Sequence, residues 1–334
     1  MDDLYLGTAP PLDPEWLQFE ESAGLNGPKP IYSSPLDRQP VYAEQCRALN
    51  SSMMQPGARD HELSQGIRTT QFAVASSHDG YRIPVLRYET TAEVEGAAPR
   101  TIILYIHGGG LAVGEADSED LSCRRIMKES ALPSLTLYSV GYRLMPAYPA
   151  SICVSDCRDV FDHIHSLKNE AKLLLVGSSS GGQLAAMVSQ AAPKRSIDGV
   201  VLRCPVTSDA CSGMEYVPDR LRPLHTSAWE PSFWNSLLGQ MKRQTPRDGL
   251  ERMPLECPEE ALKELPRTWI QVCTNDALYS DGICYAKALE DAGVEVDVDV
   301  VPGWPHTFWL KAPQLARALE AERAMLKGLA WVAG

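Results

Sequence analysis

A serine in a glycine-flanked turn is the residue of this sequence best suited to chemistry. The turn Gly177-Ser-Ser-Ser-Gly181 follows the apolar run Leu173–Val176, and a segment of helix-forming composition, 183–190, comes after it. A buried strand, a tight turn and a helix are the setting in which a Gly-x-Ser-x-Gly turn presents its central hydroxyl as a nucleophile. We therefore predict that Ser179 is a nucleophile, with free N–H groups of the helix start beside it.

A serine hydroxyl needs a general base and an acid that orients the base. His306 follows the last predicted strand, Val294–Val301, and is the histidine best placed to be the base. Asp276 follows the predicted strand Thr268–Cys273, so both side chains belong at the edge where the carboxyl ends of parallel strands meet. We favour Asp276 as the acid. Asp281 is the alternative, although capping the helix that follows is a sufficient structural reason for it.

A tetrahedral anion formed at the serine needs hydrogen-bond donors. Three consecutive glycines follow His107, directly after the predicted strand Thr101–Ile106, and their backbone can approach a substrate oxygen closely. We predict the N–H groups of Gly108, Gly109 and Ser180 as the oxyanion donors. For His107 we predict a role in bracing the glycine loop by hydrogen bonding.

The segments that must position these residues alternate short apolar strands with amphipathic helices. This pattern is typical of an α/β fold with a mostly parallel sheet covered by helices on both faces. Two segments depart from it: the proline-rich residues 1–65 and an aromatic-containing interruption at 206–266. We predict a single unit over residues 1–334, with a core of about 70–205 and 267–334 and a cap formed by the two departing segments.

Composition narrows the classes of function. The chain has 334 residues and a formal net charge of −12, which disfavours binding to nucleic acid or to an anionic membrane surface. We find no apolar run of the roughly 20 residues that a membrane span needs, and no signal-peptide pattern at the N-terminus. Nine cysteines without Cys-x-x-Cys spacing favour reduced thiols over a disulfide framework or a zinc site. We expect a cytoplasmic location, and we read Cys153 and Cys157 as two core thiols.

Five motifs occur in an order that resembles the hormone-sensitive-lipase-like branch of the α/β-hydrolase carboxylesterases. The resemblance covers residues 70 to 330 and rests on His107-Gly-Gly-Gly110, Tyr142-Arg-Leu-Met-Pro146, Gly177-Ser-Ser-Ser-Gly-Gly182, Asp276-Ala-Leu278 and His306-Thr-Phe308. It implies an α/β-hydrolase fold in which the N-terminal segment and the insertion form a helical cap. It also implies the Ser-His-Asp roles proposed above for Ser179, His306 and Asp276.

Some positions differ from the pattern of that family. Ser178 stands where an acid usually precedes the nucleophile, and Leu111 stands where an aromatic residue often follows the glycines. Gly141 and Ala147 replace acids on either side of the tyrosine motif. These differences concern substrate fit and motif geometry, because every member of the triad is present.

The residues and the resemblance together predict a serine carboxylester hydrolase that forms an acyl-enzyme on a small to medium apolar ester, without metal or organic cofactor. An alternative with the same triad is a thioesterase, lactonase or cyclase for a polyketide-like secondary metabolite, with an acyl carrier protein as a partner. A non-catalytic ligand-binding protein is a third hypothesis, disfavoured by the complete set of reactive residues. The sequence leaves open whether the protein forms a homodimer.

Overall fold

Eight strands and nine α-helices lie in the part of the chain that the computed structural model describes, residues 1–25, 27–28, 30–91, 99–236 and 247–334. The strands are β1 (Ile67–Ala75), β2 (Arg82–Thr90), β3 (Thr101–Ile106), β4 (Leu135–Val140), β5 (Lys172–Ser178), β6 (Gly199–Arg203), β7 (Thr268–Asn275) and β8 (Val296–Pro305). The helices are α1 (Pro14–Ser22), α2 (Pro35–Met53), α3 (Asp120–Glu129), α4 (Ala150–Leu167), α5 (Ser180–Ala191), α6 (Glu259–Leu262), α7 (Tyr279–Asp291), α8 (Phe308–Lys311) and α9 (Ala316–Ala333). None of these helices combines the length and the apolar content that crossing a membrane requires.

All eight strands belong to one sheet, in the order β1-β2-β4-β3-β5-β6-β7-β8. The strands β1, β2 and β4 pair antiparallel, whereas every pair from β4 to β8 is parallel. The predicted α/β fold with a mostly parallel sheet is thus confirmed. Because β5, β7 and β8 run in the same direction, their carboxyl ends meet at one edge of the sheet.

Hydrophobic layers cover both faces of the sheet, as the continuous apolar character of its central strands predicts. Every residue of β3 is buried, and its side chains alternate between the layers. Ile102 and Leu104 pack in a cluster with α4, α5 and α7, while Ile103 and Tyr105 pack in a cluster with α3 and α9. A sheet held from both sides gives its edge loops a rigid base.

The N-terminal segment is joined to both the insertion and the glycine loop. Trp16 is fully buried, packs on Trp304 and donates from its indole N–H to Ser236 Oγ at 3.2 Å. From α2, the Gln39 amide donates at 3.0 Å to the carbonyl of Ala112, just beyond the three glycines. These bonds hold residues from before the sheet against the edge that carries the predicted catalytic side chains.

The interruption between β6 and β7 contains mostly short helical turns in its described residues. Phe233 is buried against Tyr279, whereas Trp229 is 57% exposed. Residues 237–246 of the predicted 206–266 insertion, including the apolar Leu237, lie outside the described residues. That the insertion and the N-terminal segment act as a cap stays a prediction.

Candidate active site

The turn between β5 and α5 places Ser179 in a strained backbone conformation, with φ 55° and ψ −121°. Two glycines make this turn sterically possible. A Cβ at Gly177 would lie 2.3 Å from the Gly181 carbonyl oxygen, and a Cβ at Gly181 would lie 2.0 Å from the Ile106 oxygen. Ser179 itself is only partly buried, so its hydroxyl stands at the strand's carboxyl end where a substrate can reach it.

The structure brings the three predicted triad residues into one hydrogen-bonded chain. His306 follows β8 directly, and its Nε2 lies 2.8 Å from Ser179 Oγ. Its Nδ1 lies 2.6 Å from Asp276 Oδ2, at the end of β7. The second carboxylate oxygen of Asp276 accepts the Leu278 N–H at 2.9 Å, which fixes the plane of the carboxylate. The imidazole therefore bridges a hydroxyl and a carboxylate, as a general base requires.

The surroundings of His306 favour its protonated form. Burial lowers the pKa of this histidine, but the charge and the hydrogen bond of Asp276, together with the Cys204 thiol, outweigh burial and raise the pKa to about 9. Asp276 is 1% exposed and His306 is 7% exposed, so solvent screens their attraction only weakly. An imidazolium formed during a reaction would be stabilised here.

Asp281 is not the partner of His306. It lies in the first turn of α7, where Leu278 occupies the N-cap position, so the expectation that Asp281 caps this helix is wrong. Its carboxylate instead accepts the N–H groups of Thr207 and Ser208 at 2.8 and 3.0 Å. It also lies 2.8 Å from His225 Nε2. This aspartate ties the start of the insertion to the core.

His107 sits behind the glycine loop rather than at the serine. Its ring is fully buried and stacks on Tyr142 with 4.3 Å between ring centroids. Its Nδ1 lies 2.7 Å from the Gly108 carbonyl oxygen, and burial lowers the pKa of the imidazole to about 4. A neutral ring that holds the loop in place agrees with the bracing role predicted from the sequence.

The glycine loop corrects one predicted oxyanion donor. Gly108 N–H is donated to Glu119 Oε1 at 2.7 Å, so the structure contradicts the prediction for Gly108. Gly109 and Gly110 have φ values of 117° and 64°, which favour glycine. Within the described ranges, we find no protein acceptor for the N–H groups of Gly109, Gly110 or Ser180. Those three groups are the ones left to meet an oxyanion.

Glu119 is a buried carboxylate that sequence reasoning missed. Besides the Gly108 N–H, it accepts the Ser178 hydroxyl at 2.7 and 2.8 Å and the Tyr105 hydroxyl at 2.5 Å. Burial raises the pKa of Glu119, and these hydrogen bonds oppose the rise. The available signal was the serine at position 178, where an acid is usual, together with an acid at the start of α3. The start of α3 thus supplies, through Glu119, the carboxylate that position 178 lacks.

Cys204 also adjoins the triad. Its Sγ, a carboxylate oxygen of Asp276 and a ring nitrogen of His306 all lie within 4.8 Å of one another, as metal ligands do. Since Asp276 and His306 are hydrogen-bonded to each other, their arrangement is already accounted for without an ion. We expect no metal at this site.

Comparison with known proteins places the chain in a family. A family profile described as the α/β-hydrolase fold matches residues 103–310. An ethyl acetate hydrolase of Pseudomonas putida is 30% identical over 246 residues, covering 70% of this chain and 73% of that protein. A versiconal hemiacetal acetate esterase of Dothistroma septosporum is 25% identical over 337 residues, covering 95% of this chain and 94% of that protein.

Two further similarities support narrower conclusions, one because of its low coverage and the other because of its low sequence identity. The FAD-linked oxidoreductase pytB of Aspergillus terreus is 31% identical over 249 residues, but this chain spans 29% of its length. The crystal structure of vibralactone cyclase superimposes with a TM-score of 0.76 at 18% identity, covering 98% of this chain and 96% of that one, which shows the fold alone. The chain belongs to the α/β-hydrolase family, in its branch of hormone-sensitive-lipase-like ester hydrolases.

Proposed function

We propose that this enzyme hydrolyses a carboxylic ester by transferring its acyl group to Ser179. The observation that carries the proposal is the relay from Ser179 Oγ through His306 to Asp276, with contacts of 2.8 and 2.6 Å. As Oγ attacks the carbonyl carbon, His306 Nε2 takes its proton, and Nδ1–H remains bonded to the Asp276 carboxylate. The imidazolium then gives the proton to the leaving alcohol.

Water completes the proposed reaction. It takes the place of the alcohol, His306 removes one of its protons, and the resulting hydroxide attacks the acyl carbon. Collapse of the second tetrahedral intermediate breaks the bond to Ser179 Oγ, His306 returns the proton to that oxygen, and the carboxylic acid is released. No step of this scheme requires a metal or an organic cofactor.

Backbone N–H groups stabilise the oxyanion in both steps of this proposal. Gly109 and Ser180 keep the role expected from the sequence, and Gly110 replaces Gly108 as the third donor. The Glu119 carboxylate contributes indirectly, because its hydrogen bond with the Gly108 N–H fixes the loop that carries Gly109 and Gly110. A donor set held in place before the reaction stabilises developing charge without reorganisation, which is the largest single effect in many acyl-transfer enzymes.

For the substrate, we propose a short acyl group on a small to medium apolar alcohol. Two relatives, an ethyl acetate hydrolase and a versiconal hemiacetal acetate esterase, are named for acetate esters of very different alcohols. The insertion carries two exposed indoles, Trp229 and Trp234, and we infer that their apolar surface is available to an apolar alcohol group. Acetyl transfer to water is therefore the reaction that we would test first.

The alternative with the same triad is release of a thioester, or opening or closing of a lactone, on a polyketide-like substrate. In that case an acyl carrier protein would be the partner. A reaction in ¹⁸O-labelled water separates hydrolysis from ring closure, because a hydrolase incorporates the label in the acid product and a cyclase does not. Thioester release and lactone opening also incorporate the label, so a matched oxygen ester, thioester and lactone, compared by kcat/KM, separate those readings. A cytoplasmic location and a homodimer likewise remain proposals.

Labelling and turnover measured together test the proposal. We expect a fluorophosphonate to modify Ser179, mapped by peptide mass, and to abolish hydrolysis of p-nitrophenyl acetate in parallel. A series from acetate to long acyl esters should show its optimum at short chains. Ser77→Ala, in the exposed turn between β1 and β2, is the matched control and should behave as the wild type. Full turnover after complete labelling of Ser179 would overturn the proposal.

A further inference from the structure

Two cysteine sulfurs are in contact beside the catalytic histidine. Cys204 follows β6 directly, Cys273 lies in β7, and their Sγ atoms are 3.6 Å apart. Both residues are fully buried. The Cys204 N–H donates to the Gln271 carbonyl oxygen of β7 at 2.7 Å, so the backbone at Cys204 lies alongside β7, at the spacing of neighbouring strands that a disulfide can bridge.

All nine cysteines of the chain lie in described residues and are in the thiol form, and this sulfur–sulfur contact distinguishes the pair from the other seven. Cys153 and Cys157, one helical turn apart in α4, illustrate the difference. The Cys153 thiol points to the Pro149 carbonyl oxygen at 3.7 Å, and burial raises the pKa of both thiols. They behave as core thiols, as predicted.

The pKa values of the two thiols shift in opposite directions. Burial raises the pKa of Cys204, but its hydrogen bonds with Cys273 and His306 outweigh burial and lower the pKa to about 7. Burial and the neighbouring Cys204 sulfur hold the pKa of Cys273 well above its ordinary value. The charged groups that act on the pair are Asp276, His306 and Arg203. A thiol of lowered pKa in contact with a thiol of raised pKa suits the roles of an attacking and a resolving cysteine.

We propose that Cys204 and Cys273 are an oxidation site that hydrogen peroxide converts to a disulfide beneath the catalytic histidine. The Cys204 sulfur attacks one peroxide oxygen, the O–O bond breaks, and one water leaves as a sulfenic acid forms. The Cys273 sulfur then attacks the oxidised sulfur, its S–O bond breaks, and a second water leaves. Two thiols and one peroxide thus give one disulfide and two waters.

Because both sulfurs are buried, we expect that only a small oxidant reaches them. Hydrogen peroxide is close in size to the water that must reach the acyl-enzyme, whereas glutathione disulfide is far larger than the space around a fully buried thiol. We therefore expect peroxide to oxidise the pair in folded protein and glutathione disulfide to leave it unchanged.

Closing the pair should disturb catalysis. A disulfide shortens the sulfur–sulfur distance from 3.6 Å to about 2.0 Å and removes the Cys204 thiol from His306. Cys273 lies three residues before Asp276, so the shift reaches both partners of Ser179. A misplacement of about 1 Å can cost on the order of 100-fold in rate. We expect at least a several-fold loss of turnover that dithiothreitol reverses.

Peptide mapping of peroxide-treated full-length protein tests the site without relying on activity. The Cys211→Ser variant serves as the background, because Cys211 is exposed and would react first with alkylating reagents. We expect one cross-linked peptide pair, joining Cys204 to Cys273 and lighter by two hydrogens. Cys273→Ser should abolish the cross-link and leave a sulfenic acid at Cys204, which dimedone traps when the oxidised protein is unfolded in its presence. Cys153→Ser should keep the cross-link.

Each result decides part of the proposal. Alkylation of both cysteines after peroxide treatment, or a cross-link between other positions, would overturn the oxidation site. A complete cross-link with unchanged turnover would overturn its link to catalysis. If Cys273→Ser fails to fold, Cys273→Ala replaces it, with circular dichroism as the check. The cross-link is detected whether or not the protein hydrolyses esters, so a failure of the proposed function is seen separately.

Discussion

Two clusters in this protein combine a serine, a histidine and an aspartate, and they are connected differently. In the catalytic cluster the imidazole is the middle member. Ser179 Oγ lies 2.8 Å from His306 Nε2, and Asp276 lies 2.6 Å from Nδ1 on the opposite side of the ring. The proton of the hydroxyl can therefore move only to a base that the carboxylate already orients.

In the second cluster the aspartate is the middle member. Ser208 Oγ donates to Asp281 Oδ1 at 2.9 Å, and His225 Nε2 lies 2.8 Å from the same oxygen. Ser208 Oγ and His225 Nε2 are 3.3 Å apart, but the Ser208 hydroxyl donates its proton to the Asp281 carboxylate. None of the three side chains exceeds 2% exposure, so no substrate reaches them. This cluster fastens the insertion to α7.

The comparison shows that residue types alone do not make a nucleophile. A serine is activated where a histidine lies between it and the acid, and where a strained turn exposes the hydroxyl at the end of a strand. Where the carboxylate is the central member and all three side chains are buried, the same residue types instead form a structural link between two parts of the fold. Matched substitutions in the two clusters should separate these roles.

The largest difference is expected for the two serines. Ser179→Ala should lower kcat by about 10,000-fold or more, because the nucleophile is lost and only binding and oxyanion stabilisation remain. Ser208→Ala should keep kcat within a few-fold and lower the free energy of unfolding by about 1 kcal/mol, the typical value of one hydrogen bond. Steady-state kinetics and urea unfolding measure both. A large loss of kcat in folded Ser208→Ala would contradict the comparison.

The two aspartates should differ almost as much. Asp276→Asn leaves the shape of the site intact but favours the wrong tautomer of His306, so kcat should fall by about 10,000-fold. Asp281→Asn should mainly destabilise the fold, by roughly 2–3 kcal/mol, because charge-assisted hydrogen bonds from two backbone N–H groups weaken. Thermal unfolding together with kinetics distinguishes the cases. Equal kinetic defects in the two variants would rule out the assigned roles.

A smaller effect is expected at Glu119, which positions the glycine loop of the catalytic cluster. Glu119→Gln should lower kcat by about 10- to 100-fold with little change in KM, below the loss of about 100- to 1,000-fold for removing an oxyanion donor itself. Adding Ser178→Asp to Glu119→Ser returns a carboxylate to the same hydrogen-bond network and should recover part of kcat. A merely structural role would lower stability without this selective rescue, and wild-type kcat in Glu119→Gln would refute the idea.

The smallest expected change is a shift of the pH profile. His306 must be neutral to accept a proton, and its raised pKa of about 9 moves the acid limb of kcat/KM above the ordinary histidine value. Activity should therefore rise with pH through the neutral range. In Asp276→Asn the limb should move to lower pH, because the carboxylate that stabilises the imidazolium is gone. His225→Gln should leave the pH of the acid limb unchanged. A shift of the limb in His225→Gln, with no shift in Asp276→Asn, would overturn the assignment of the limb to His306.

Local patterns made much of the fold predictable. The apolar runs of β3, β5 and β7 and the glycine-flanked turn after β5 are read from consecutive residues, because strand burial and backbone strain are set by neighbours in the chain. The positions of Asp276 and His306 followed from one further rule, that carboxyl ends of parallel strands share an edge. The structure brings both to Ser179.

Predictions that depended on long-range partners were less successful. Gly108 was expected to face the substrate, but its N–H is taken by Glu119, eleven residues away in the chain. Asp281 was expected to cap α7, but it bonds to Thr207, more than seventy residues earlier. In both cases a local interpretation of the residue was reasonable, and a partner from another element replaced it.

By itself, the sequence determined which residues could react and which strand end carries each of them, since a strained serine turn and buried strands are local properties. Only the tertiary structure decided which N–H groups remain available, which aspartate meets His306, and that Cys204 and Cys273 touch beside it. The physical reason is that a hydrogen bond or a sulfur contact depends on side chains coming within about 3 to 4 Å, and across separate elements packing alone sets that distance.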